Sequence, residues 1–227
     1  MMSFAGTESI VSFTLLLCAF IFSITLSGTV QAYVARWCDD YVADQLGYTE
    51  FNPFLFINLL DFVWFFAFEI MIGRPVPLHL GGGINRYQSW WRLRTFLLFA
   101  SRPLCNILIT IVALLLGTVL CKSIFMDLLA GSAVHQNFTV PHLLCLFCGS
   151  LIRANIFLAT FESCRQIMHF FVLYKMEKDY NFIEYADYIL ALGPIMVWLF
   201  FHKTIARTLV YVVDCVVLGI SKLCGIG

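Results

Sequence analysis

Charge is what this 227-residue chain most lacks: Asp, Glu, Lys and Arg together make 12% of it, with 14 Lys+Arg against 14 Asp+Glu. An ordinary soluble domain carries about 25% charged residues. With no basic excess there is no surface to neutralise a run of phosphates, so nucleic acid is excluded as a partner. Proline is scarce at six residues, and it does not break the long apolar runs into short pieces. A disulfide framework is also missing. The nine cysteines are an odd number, and Cys18, Cys105, Cys145, Cys148, Cys164 and Cys215 stand inside apolar runs, where cysteine acts as a small hydrophobe. Cys145 and Cys148 have the spacing of a thiolate metal pair, but no second pair follows and their neighbours are Leu and Phe, so they read as packing residues. The N-terminus has no basic flank, and its apolar stretch outruns a signal-peptide core, so it is expected to be a retained anchor.

What is present is hydrophobic surface. Apolar residues make 61% of the chain and aromatic residues 16%, the composition of a polypeptide solvated by lipid, where a helix needs about 20 apolar residues to cross. The expected fold is all-α, a polytopic transmembrane helix bundle of about five or six segments in a single membrane domain covering residues 1–227. Apolar stretches run over about 10–34, 54–72, 96–121 and 141–161, the last extending toward Tyr174. Two shorter ones, about 186–201 and 208–220, belong to a C-terminal helical region over 175–227 that starts with the charged stretch Lys175 to Asp179. Arg74, Arg86, Arg92 and Arg94 lie in the connection after the second stretch, which carries no acid. The positive-inside rule places that connection in the cytoplasm. The connection from Arg36 to Phe51 is then expected on the far side. Asn137-Phe-Thr139 matches a glycosylation acceptor there and reads as a chance match.

Several short stretches occur in an ordered series. Ala32-Tyr33-Val34-Ala35 follows Ser27-Gly28-Thr29-Val30-Gln31; then come Gly47, Thr49, Asn52-Pro53 and Ile57-Asn58; then Arg74-Pro75-Val76-Pro77-Leu78; then Ser101-Arg102-Pro103-Leu104-Cys105-Asn106; and last Asn155 to Phe161. In order and spacing, over about residues 20–170, this series resembles the site-2 protease family of intramembrane zinc metalloproteases, in particular its compact bacterial branch. The resemblance implies a site-2-protease-like core and a bacterial cytoplasmic membrane. It also implies where zinc chemistry would stand. The two histidines of His-Glu-x-x-His align with Ser27 and Gln31, the catalytic Glu with Gly28, and the Asp of Leu-Asp-Gly with Phe170.

A zinc hydrolase needs three protein ligands, an open position and a nearby base. None of those four positions supplies one. The histidines, His79, His135, His142, His169 and His202, include no pair four apart, and His169 alone is near the aligned site. No serine–histidine arrangement is evident, and Asp61 and Asp214 lie in no motif that would pair them as an aspartyl dyad. Asp214 reads as a residue snorkelling from a peripheral helix near Arg207. No metal and no cofactor are therefore expected.

Ionisable residues inside apolar stretches carry more information: Asp61, Glu69, Arg102, Arg153, Glu162 and Arg165. Such residues usually face a bundle interior and pair. One reading joins Arg102, Glu162, Arg165 and Asp61 in a buried ionic cluster that takes the place of the metal, with Glu162 and Arg165 three apart on one helix. The other has Arg153 and Arg165 snorkelling to the interfaces and Glu69 sitting at a helix end. Ser27, Gly28 and Gln31 form a candidate helix-binding face, with Gln31 equally readable as an internal packing residue.

The expected function is that of a catalytically inactive, site-2-protease-like membrane protein. It would serve as a structural or client-binding subunit of a membrane complex, its partners being lipid and other integral membrane proteins. Two alternatives stand beside it: an active intramembrane metalloprotease with displaced zinc ligands, and a transport or channel subunit whose charges line a polar path. The two halves of the chain lack the self-similarity of a transporter repeat.

Overall fold

A computed structural model describes residues 7–78, 90–120 and 139–176, together with Tyr211. The two C-terminal apolar stretches, the glycosylation-type triplet, Asp214, His79, His135 and His202 lie outside the described residues. The chain divides into two compact units, Met1–Ala159 and Thr160–Gly227.

Every regular element among the described residues is helical. In chain order they are α1 (Thr7–Trp37), α2 (Val42–Gln45), α3 (Pro53–Phe56), α4 (Leu59–Phe68), α5 (Trp91–Leu120) and α6 (Val140–Met176). Three of them hold spans long and apolar enough to cross a membrane: Ile10–Trp37 in α1, Leu93–Val119 in α5 and Val140–Phe170 in α6. The chain is thus an integral membrane protein by the length and composition of its helices. On α5, Leu104, Ile107, Leu108, Ile111, Leu115 and Val119 form an exposed apolar stripe. Their spacing of three and four residues is that of one helix face, and in a membrane that face meets lipid.

α1 and α5 pack antiparallel. The Gln31 side-chain amide donates to the Leu98 carbonyl at 3.4 Å, and one end of the pair is closed by Arg94 of α5. The Arg94 guanidinium lies 5.5 Å from the Trp37 ring centroid and pairs with Asp39 at 2.9 Å. α1 stops there because Asp39 takes a left-handed backbone (φ 68°) and the Asp40 N–H returns to the Ala35 carbonyl at 2.9 Å. This is the Schellman pattern, which satisfies carbonyls left open at a helix end.

The segment between them departs from the sequence expectation. The apolar stretch 54–72 does not continue to the opposite end of the bundle. It runs down the side of α1 and returns. Phe51 meets Phe22, with ring centroids 6.2 Å apart, and farther along Phe65 meets Phe13 at 4.7 Å and Phe20 at 6.0 Å. The chain then comes back, so that Gly73 lies against Ile24 and Leu78 packs on the buried cluster of Ala35, Cys38 and Leu98. The connection after Trp37 and the approach to α5 therefore share one end of the helices, where the sequence reading put them on opposite sides. The cause is local. Asn58 and Asp61 form a capping box that starts α4, and Glu69 takes a left-handed backbone that ends it after ten residues. Ten residues make a helix of about 15 Å, half the hydrocarbon thickness.

Candidate functional site

Three buried polar residues of the Met1–Ala159 unit stand at the middle of its apolar spans, the level where lipid would be thickest. The midpoints of the three apolar spans fall at Ser23–Ile24, at Asn106 and at Asn155. Ser23, Asn106 and Asn155 are each fully buried. The Asn155 amide donates to the Ser23 hydroxyl at 2.7 Å, tying the centre of α6 to the centre of α1. Gln31 and Leu98 stand level with one another, and eight residues inward along each antiparallel helix lie Ser23 and Asn106, also level. Neither amide atom of Asn106 has a hydrogen-bond partner among the described residues, nor do the Gln31 and Asn155 side-chain carbonyls.

Beside this layer the returning segment brings irregular backbone to membrane depth. Bilayer lipid offers no hydrogen bonds to such backbone, so protein groups must supply them. Asp61 and Arg102 do so. The Asp61 carboxylate accepts the Gly73 N–H at 3.0 Å with one oxygen and the Asn58 N–H at 2.8 Å with the other. The Arg102 guanidinium, fully buried, donates to the Arg74 carbonyl at 2.9 Å. Gly73 is required on two counts. Its backbone is left-handed (φ +72°), and a Cβ there would stand 2.6 Å from the Ile24 Cγ2. The Arg74 N–H also bonds the Phe56 carbonyl at 2.6 Å, closing the base of the return.

Ser27, Gly28 and Gln31 are buried by the chain's own residues. Ser27 donates to the Ile24 carbonyl of its own helix at 3.4 Å. The Phe56 ring occupies the space that a side chain at position 28 would need. Gln31 reaches Leu98. A hydroxyl turned to its own helix, an amide turned to a neighbouring backbone and a glycine capped by a phenyl ring do not fit a tetrahedral zinc with a bound water. Among the described residues no group of three or more His, Cys, Asp and Glu side chains could hold a metal ion.

The remaining charges fall into two pairs. In the Thr160–Gly227 unit, Glu162 and Arg165 form a buried ion pair at 2.5 Å across one turn of α6. Phe170 is exposed on the same helix. In the other unit, Glu69 and Arg153 approach to 3.5 Å, with 24% and 66% of their side chains exposed. Glu69 sits at a helix end, as the second sequence reading had it.

Two of these features were missed from the sequence. The Asn58 to Asp61 spacing is that of a capping box and was readable. Ser23 carries no signal of its own, since a lone serine in an apolar run is unremarkable until its partner is known.

No protein-family model, curated protein or solved structure matches the chain.

Proposed function

We propose that this membrane protein is a catalytically inactive, site-2-protease-like scaffold acting as a structural or client-binding subunit of a membrane complex. The observation that carries the reading is the Phe56 ring seated on Gly28, flanked by Ser27 and Gln31, whose hydroxyl and amide NH2 donate to backbone carbonyls. Where the resembled enzymes would hold a base and two zinc ligands, this chain has packing. Support for a structural role over transport comes from Asp61 and Arg102, which are bonded to backbone. By resemblance we assign the protein to a bacterial cytoplasmic membrane. The shared end of α1 and α5, carrying Arg36, Arg92 and Arg94, would face the cytoplasm.

The test is the metal content of the purified full chain by mass spectrometry, together with incubation against a transmembrane reporter substrate. The expected result is zinc at background level and an intact reporter. Stoichiometric zinc, or cleavage abolished by a chelator, would favour the displaced-ligand protease instead.

A further inference from the structure

Asn106 stands at the midpoint of the Leu93–Val119 span and is fully buried. Centred in a hydrocarbon core of about 30 Å, it is about 15 Å from water on either side. On α5 it follows Leu98 and Arg102 at intervals of four residues, so the three lie along one stripe of the helix. That stripe faces protein. The Leu98 carbonyl accepts from Gln31, Arg102 donates to the Arg74 carbonyl of the returning turn, and both residues are fully buried. Leu104, Ile107 and Leu108 carry the lipid-facing side of the same helix.

The Asn106 side chain has hydrogen-bonding capacity that the rest of the chain leaves open. Among the described residues neither its Nδ2 nor its Oδ1 has a partner, and the same holds for Thr29 Oγ1, Gln31 Oε1 and Asn155 Oδ1. A buried donor or acceptor left unmet forfeits its solvation, and these five atoms together would cost free energy on the scale of a whole domain's stability. Bound water or an ion is the usual way a folded protein meets such a demand. The amide decides between them. Nδ2 requires an acceptor and Oδ1 requires a donor. A cation would serve only the oxygen, and an anion only the nitrogen. Water serves both, is neutral, and is small enough for a site with no exposed surface.

We propose that the interior of the Met1–Ala159 unit binds water at Asn106, in the middle of the membrane. The Asn106 NH2 donates to bound water and its side-chain carbonyl accepts from it, so the amide stays hydrated inside a helix pair whose outer face meets lipid. The proposal goes beyond the scaffold reading and needs nothing from the aligned zinc positions.

The test is nuclear magnetic resonance of the full chain in lipid nanodiscs, with isotope-labelled asparagine and cysteine. Cys105-Asn106 is the only Cys-Asn pair in the sequence, which assigns the signal without a substitution. Dipolar transfer from water should appear at the Asn106 NH2. It should be severalfold stronger there than at the Asn155 NH2, which stands at the same depth and already donates to Ser23 and to the Leu151 carbonyl. Thr110 supplies the needed control, because its hydroxyl bonds the Asn106 backbone carbonyl at 3.0 Å and could relay exchange. Thr110→Val should leave the transfer intact. Transfer that is absent from Asn106, equal at the two amides, or lost in Thr110→Val overturns the proposal. An Asn106 signal that shifts with sodium or potassium concentration also overturns it, since the occupant would then be a cation.

Discussion

Asp61 and Arg102 hold the same stretch of backbone by adjacent residues: the carboxylate takes the N–H of Gly73, and the guanidinium gives to the carbonyl of Arg74. Two charges that read in the sequence as candidates for an ionic cluster act here on the peptide groups of a turn. The arrangement has a physical requirement behind it. A turn at the depth of Ile24 has no water to satisfy it, and each unmet backbone group in hydrocarbon costs several kcal/mol.

Removal of either side chain should therefore weaken the turn. Asp61→Ala and Arg102→Ala are each expected to cost about 1.5–3 kcal/mol, the range for a hydrogen bond to a charged group. The double variant should cost less than the sum, because once the turn is loose the second clamp has less to hold. Unfolding equilibria in bicelles measure this, and strict additivity would show that the two act independently.

Gly73→Ala meets two penalties, the left-handed backbone and the approach of its Cβ to Ile24. Together they should cost about 2–4 kcal/mol. Adding Ile24→Ala removes the clash and leaves the backbone term, so the pair should recover only part of the loss relative to Ile24→Ala alone. Full recovery would mean that the positive φ carries no cost.

The return of 54–72 predicts a topology. Cysteines introduced at Tyr41 and Trp90, both exposed, should react with a membrane-impermeant maleimide added on the same side of sealed vesicles. Reaction from opposite sides would restore the crossing that hydropathy alone suggests.

Cys38 lies just beyond the α1 span and is fully buried. Burial raises its thiol above the ordinary 9.0, partly opposed by the nearby Arg94 cation. A raised pKa lowers the thiolate fraction at pH 8, and the thiolate is the reactive form. Relative to an exposed cysteine at position 41, alkylation of Cys38 should be slow at pH 8 and the ratio of rates should climb through pH 9 and above. A ratio flat with pH would leave access alone as the cause.

Much of the fold was legible without coordinates. The long apolar runs around Ile24, Asn106 and Asn155 emerge as α1, α5 and α6, with ends within a few residues of those expected for two of them. The Glu162–Arg165 pair followed from helical spacing. The bonds from Asp61 to Gly73, from Arg102 to Arg74 and from Gln31 to Leu98 did not, because each joins a side chain to a backbone group far away in the chain, and a backbone group has no residue-type signature.

Composition alone determined that this chain lives in lipid and that its long segments are helices, since transfer of apolar side chains from water is a local sum that requires no neighbours. Only the tertiary structure decided that the second apolar stretch turns back. That choice depends on a left-handed Glu69, a Gly73 with room for no side chain, and two distant charged residues able to replace the water that the turn gives up.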